Sequence, residues 1–353
     1  MKPLDMAQNL VLRNQKMHVP SQYYGLLMFY GAAQAAAELE SPRFLKKVIG
    51  FLDAYPDKTG QMVGNFDSYT AGGNGKAYFT YLDKIGKITL AKDVKERFYA
   101  ATRGYADKTL AAPKSADGIL TSAKLGPDKV WIDVVTCVTP FMLFAGLALD
   151  NEAYVDFGAE QCFLMYELFL DKENGLLHQC RGFVTGKPEA ISKDHWSRGN
   201  GWGYVGFADL ISYLPKTSRH FEKARNEYVK FTDALLKVQT DGGMWNQELT
   251  DKDTWHETSG TALILYGLGA GIRRGILKDE RYKKAFQKGI NALLGFIDND
   301  FATYNSCPGC LCPKRTGEIA EYLALVPPKD EVHSYGAFIL ALTEAHRNGM
   351  EEI

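Results

Sequence analysis

The chain has 353 residues, 46% hydrophobic and 24% charged, which is ample for a large apolar core. A net charge of -1, with Lys and Arg spread along the chain, excludes a general electrostatic role on nucleic acid or on an acidic membrane surface. No apolar run reaches the roughly 18 residues that span a bilayer, and Met1-Lys2-Pro3-Leu4-Asp5 lacks the regions of a signal peptide. The expectation is a soluble protein, cytoplasmic or, with an export signal removed, periplasmic. With no Pro/Ser-rich linker, charge block or low-complexity run to divide it, residues 1–353 are expected to form one domain.

In chain order, apolar residues at three- and four-residue spacing predict twelve helices near 4–17, 20–39, 42–55, 74–86, 91–109, 130–149, 151–170, 199–214, 218–239, 258–275, 279–298 and 333–347. Alternating strand patterns are short, with small hairpins expected around Leu177-His178 and Met244-Trp245. Ser41-Pro42 and Thr258-Ser259 carry helix-start chemistry. One set of helices is apolar almost all round, as in Phe141-Met142-Leu143-Phe144 and Tyr335-Gly336-Ala337-Phe338; their followers, such as Arg219 to Lys237, are charged on one face. Helices apolar all round belong inside and one-sided helices outside. An all-α (α/α)6 barrel of six inner and six outer helices follows, with a funnel at the inner helices' N-terminal ends. Asp133, Arg198, Glu257 and His333 all fall near those ends, where helix dipoles favour an anionic ligand.

The run His195-Trp196-Ser197-Arg198-Gly199-Asn200-Gly201-Trp202 crowds two indoles, a guanidinium and an amide onto a Gly-rich helix entry. A guanidinium pairs with a carboxylate through two hydrogen bonds and indoles cover the apolar face of a pyranose, so the cluster suits a sugar acid. Trp196 reads equally as a sugar platform or a core anchor, and Asn200 as a residue that fixes the loop. His195, His256 and Glu257 stand at rim positions where capping explains them as well. Cys307-x2-Cys310-x-Cys312 has no fourth ligand at a convincing spacing, so a loop of incidental thiols is expected in place of a zinc site. No nucleotide-binding Gly pattern and no HExxH element occurs, so neither a metal nor an organic cofactor is expected.

Several pieces in this order resemble glycoside hydrolase family 105 and its relative family 88, the unsaturated rhamnogalacturonyl and glucuronyl hydrolases. They are Trp131-Ile132-Asp133 followed by Pro140-Phe141, Gly175-Leu176-Leu177-His178, Trp196 to Trp202, Gly242-Gly243-Met244-Trp245-Asn246-Gln247, Glu257-Thr258-Ser259-Gly260 and Ser334 to Phe338. The resemblance implies an (α/α)6 barrel acting on oligosaccharides that a polysaccharide lyase has left with a 4,5-unsaturated uronate at the non-reducing end. It implies Asp133 as the catalytic acid, with Trp131 as an apolar neighbour that raises its pKa. His178 and Arg198 match groups that bind the uronate carboxylate and order water, and Trp202 a wall against the ring. The chain departs from the family where a second acid is usual: it reads Gly72-Gly73-Asn74-Gly75, and Asn74 is left to bond a sugar hydroxyl or orient Asp133. Asp67 and Asp83 are possible replacement acids, and Thr121-Ser122-Ala123-Lys124 stands where the family has a His-Lys element. Two other classes fit the barrel: a sugar epimerase or isomerase using His178 with His256 or His333, and a non-catalytic glycan binder that dispenses with Asp133.

Overall fold

Thirteen helices form among the residues described by the computed structural model, which are 1–17, 23–54, 73–121, 126, 128–310 and 318–353. They are α1 (Pro3–Met17), α2 (Tyr23–Glu38), α3 (Pro42–Asp53), α4 (Asn74–Lys84), α5 (Lys92–Leu110), α6 (Asp133–Leu149), α7 (Glu152–Phe169), α8 (Ser197–Tyr213), α9 (Phe221–Lys237), α10 (Thr258–Arg273), α11 (Glu280–Leu294), α12 (Ala320–Leu323) and α13 (Ser334–Arg347). Helix α6 is buried along nearly its whole length and α8 on every face, so neither is stable except inside other helices. In α3 only Phe44, Val48 and Leu52 are buried, one stripe at four-residue spacing that turns a single face inward. Burial thus sorts the helices into two rings. Helices α2, α4, α6, α8, α10 and α13 pack each on the next, and α13 returns to α2. Helices α1, α3, α5, α7, α9 and α11 lie against them from outside, which makes the fold an (α/α)6 barrel.

Local chemistry sets the helix starts. Ser41 accepts from Phe44 N with Pro42 in the first turn, Asn151 accepts from Ala153 N, and Asp279 from Arg281 N. Most helix ends fall within a few residues of the sequence pattern, and two departures have a clear physical cause. The helix expected from residue 130 begins at Asp133, because Val130–Trp131 (β1) pairs antiparallel with Cys180–Arg181 (β2), Trp131 opposite Cys180. The four residues of α12 are too few to show a helical period, and the pattern missed them. At the end of the ring away from these starts, Tyr30 and Tyr266 donate to buried Asp209 at 2.8 and 2.5 Å, and Arg347 bridges Glu38 and Glu344. Polar groups enclosed this deeply are stable only when partnered, and here they are.

Candidate active site

Asp133 opens α6, and the β1–β2 pairing just before it, with Ile132 N donating to Gln179 O, fixes its direction of entry. It is buried, and its Oδ2 has no partner in ordinary hydrogen-bond geometry. Burial pushes its carboxyl up to about 6, against the opposing pull of the Arg198 charge and a hydrogen bond from Trp202. Trp131 is half-buried and tilted on Phe183 at 5.4 Å between ring centres.

About two turns on, α6 contains Pro140, which has no N–H to give the carbonyl of Thr136. Asn74, the first residue of α4, supplies that bond: its Nδ2 donates to Thr136 O at 2.8 Å. Its Oδ1 is left buried without a partner. An ionised carboxylate at position 74 has no hydrogen to donate, so the amide has a physical reason here. Asp83 sits nine residues further along α4, roughly 13 Å away along the axis, where it binds Leu90 N and Lys95. It is therefore not a replacement acid; Asp67, Gly72 and Ser122 to Lys124 lie outside the described residues.

Arg198, in the first turn of α8, is buried with its guanidinium 4.3 Å above the Trp196 ring. Its Nη1 donates to Ser259 Oγ at 2.9 Å and to Cys307 O at 2.6 Å, and stands 3.9 Å from Glu257. Trp196 is itself buried, with this cation over its face. Glu257 is the cap of α10: it accepts from Ser259 N, Gly260 N, Ser259 Oγ and Cys307 N. The loop carrying Cys307, which its place in the sequence makes look remote, thus closes directly on Arg198. Cys307 is buried and Cys310 half-buried, and Cys312 is outside the described residues. His333 immediately precedes α13 without a side-chain capping bond and pairs with Glu331 at 2.8 Å; burial and the Arg198 charge lower its pKa.

His178 is set by Asn200, whose Oδ1 accepts from Leu177 N and whose Nδ2 donates to Leu177 O, so the amide pins the neighbouring residue through both backbone groups. The expected loop-fixing role of Asn200 is what these bonds provide. His178 Nδ1 meets the carbonyl of Asp194 at 3.3 Å; a carbonyl only accepts, so Nδ1 carries the proton and Nε2 is an acceptor. Burial and the adjacent His195 push the His178 pKa down. His195 lies under it with ring centres 4.7 Å apart, between Asp171 at 3.0 Å and Glu248 at 3.5 Å, and these two carboxylates hold its pKa up. His256 is occupied with Asn246. Asp171, Glu248, Glu331 and the Cys307 carbonyl were not singled out in the sequence, since each lies in irregular chain beside a helix and no spacing marks it.

The model of Glycosyl Hydrolase Family 88 matches residues 5–349. The chain belongs to this family. It is 28% identical over 153 residues to the unsaturated 3S-rhamnoglycuronyl hydrolase of Alteromonas sp. (strain LOR), a match covering 43% of this chain and 37% of that protein. It is 23% identical to the unsaturated rhamnogalacturonyl hydrolase YesR of Bacillus subtilis (strain 168), over 85% of this chain and 83% of that one. The chain spans less than half the length of the Alteromonas rhamnoglycuronyl hydrolase and of the one from Formosa agariphila, 37% and 45% respectively. Among solved structures, a C. acetobutylicum glycoside hydrolase from family 105 superposes with a TM-score of 0.82 at 20% identity, over 98% of this chain and 99% of that one. The unsaturated glucuronyl hydrolase of Bacillus sp. GL1 superposes at 0.67 and 14% identity, over 97% and 95%. Both share the fold of this family member, and no helix described in it is long and apolar enough to cross a membrane.

Proposed function

We propose that this family 88 member hydrolyses oligosaccharides ending in a 4,5-unsaturated uronate, with Asp133 as its single acid and base. The carrying observation is Asp133 itself, buried at the head of an inner helix with its carboxyl pushed up to about 6 and Oδ2 lacking a partner. A 4,5-unsaturated uronate is an enol ether. Protonation at C4 by Asp133 places positive charge at C5 and the ring oxygen, and the carboxylate so formed takes a proton as water adds at C5. The hemiketal then opens and the leaving sugar departs; the acid is restored, and water is the only reagent consumed. Such a reaction needs one carboxyl group, whereas ordinary glycosides need two.

Arg198 supplies buried positive charge for the uronate carboxylate, and Trp202 walls the ring beside Asp133. The protonation of His178 alters its expected part: a neutral ring with Nε2 as acceptor suits a sugar hydroxyl or the attacking water, and leaves the carboxylate to Arg198. Asn74 offers Oδ1 to a second hydroxyl. Trp131 and Phe183 give the leaving sugar an aromatic edge, while Trp196 serves as the platform under Arg198. The names of the rhamnoglycuronyl and rhamnogalacturonyl relatives support rhamnose beside the uronate.

The test is a lyase-generated digest followed by its ultraviolet absorbance, because hydration destroys the conjugated double bond. The wild-type protein should remove the absorbance, and Asp133→Asn should be slower by at least about a hundredfold while still binding the oligosaccharide. Near-normal turnover in that variant would take Asp133 out of the reaction.

A further inference from the structure

We propose that Asp171, His178 and His195 form a binding site for a divalent transition-metal ion of the zinc class. One donor atom from each of the three lies within 4.8 Å of the others. The Asp171 Oδ2 to His195 Nε2 separation, 3.0 Å, is a few tenths of an ångström under the roughly 3.3–3.6 Å edge of a tetrahedron built on metal bonds of about 2.0–2.2 Å, so small side-chain adjustments seat the ion.

The surroundings of the three donors carry the argument further. A metal-bound imidazole characteristically gives its second nitrogen to a carbonyl or carboxylate, which fixes the ring and its tautomer. Both arrangements are present: His178 Nδ1 is held by the carbonyl of Asp194, and His195 Nδ1 stands 3.5 Å from Glu248 Oε1. Each histidine therefore directs Nε2 to the cluster. Asp171 is oriented in turn by Glu173 N on Oδ1 and Asn174 Nδ2 on Oδ2. Asp171 and His178 are half-buried and His195 is buried, so the cluster is partly accessible. Three protein ligands with one open position are what an exchangeable zinc site has; a closed structural site has four. Binding displaces the proton that His195 Nε2 shares with Asp171, and that proton leaves to solvent.

The ion would occupy the same Nε2 of His178 that the hydrolase reading assigns to a hydroxyl or water. Resting on that reading, the expected consequence is inhibition by Zn²⁺, competitive with the oligosaccharide and reversed by EDTA. The metal site is tested apart from activity. Chelator-treated protein titrated with Co²⁺ should develop visible absorption that saturates at one ion per chain. Asp171→Asn and His195→Gln should each weaken that binding by at least about tenfold, with far-UV circular dichroism checking that the variants are folded. Absent saturable binding in the wild type, or equal binding in folded variants, would overturn the site. Saturable Co²⁺ binding without inhibition of hydrolysis would leave the site standing and remove His178 from the sugar reaction.

Discussion

At Asp133 the same burial that prepares an acid also costs stability. Its folded pKa, about 6, lies above the roughly 3.9 of an unfolded aspartate. The protonated group therefore favours the fold: that contribution is complete below about pH 4 and is lost as pH rises through about 6. A shift of about two units corresponds to roughly 3 kcal/mol. Asp133→Asn, which stays neutral, should melt higher than the wild type at pH 8 and alike at pH 4; calorimetry at the two values checks this. The same titration sets the reaction, so kcat should fall as pH rises past about 6 with a slope of one proton. Asn74 gives a second residue-scale prediction. Asp at 74 keeps the bond to Thr136 O only when protonated, so Asn74→Asp should introduce a carboxyl with a raised pKa, and destabilise by about 1–3 kcal/mol at pH values where that acid is ionised. Equal stability of the two proteins at pH 9 would remove the significance given to Pro140.

Between elements, a close backbone approach lies where α8 meets α10, beneath the proposed uronate site. A Cβ at Gly260 would collide with Ser197 Oγ and lie 2.5 Å from Arg198 N. The Ser197 hydroxyl can rotate away, but the backbone N of Arg198 and the backbone C of Ser197, also 2.5 Å away, cannot, so relief requires the two helix starts to part. Gly260→Ala should cost about 1–3 kcal/mol of stability and raise KM more than it lowers kcat, because it displaces Arg198 more directly than Asp133. Thermal melts with steady-state kinetics give both quantities. The link between α6 and α8 is of another kind: Thr136 Oγ1 donates to Trp202 O at 2.9 Å, tying the element that carries the acid to the one that carries its indole partner.

For the whole molecule, six helix starts from distant parts of the chain meet at one end of a closed ring, and the segment containing Cys307 is drawn over it by backbone bonds to Arg198 and Glu257. Since those bonds use the backbone of Cys307, Cys307→Ser should retain activity, with only a modest change in melting temperature. Hydrolysis should also survive dialysis against EDTA, since protonating an enol ether requires a positioned acid and water alone. Loss of turnover on chelation, restored by added Zn²⁺, would overturn the metal-free reaction.

Periodicity is a local property of the chain, and it is enough for the barrel: helices apolar all round, alternating with one-sided ones, have few other ways to bury their surfaces. Positions at helix starts are equally legible, so the chain pattern alone brings Asp133, Arg198, Glu257 and His333 together at one end. Charge state and hydrogen-bond direction are not legible there, because they depend on neighbours far away in the chain. By residue type Asn74 looks like a lost acid, yet Pro140 leaves the Thr136 carbonyl without its donor and the amide replaces it. By residue type His178 looks like a carboxylate ligand, yet the Asp194 carbonyl selects its tautomer, and burial with His195 pushes its pKa down. Sequence determined which residues stand at the inner helix starts; only the tertiary structure decided which loop groups join them and what each can donate or accept there, since burial and partners, and not residue type alone, fix where a proton resides.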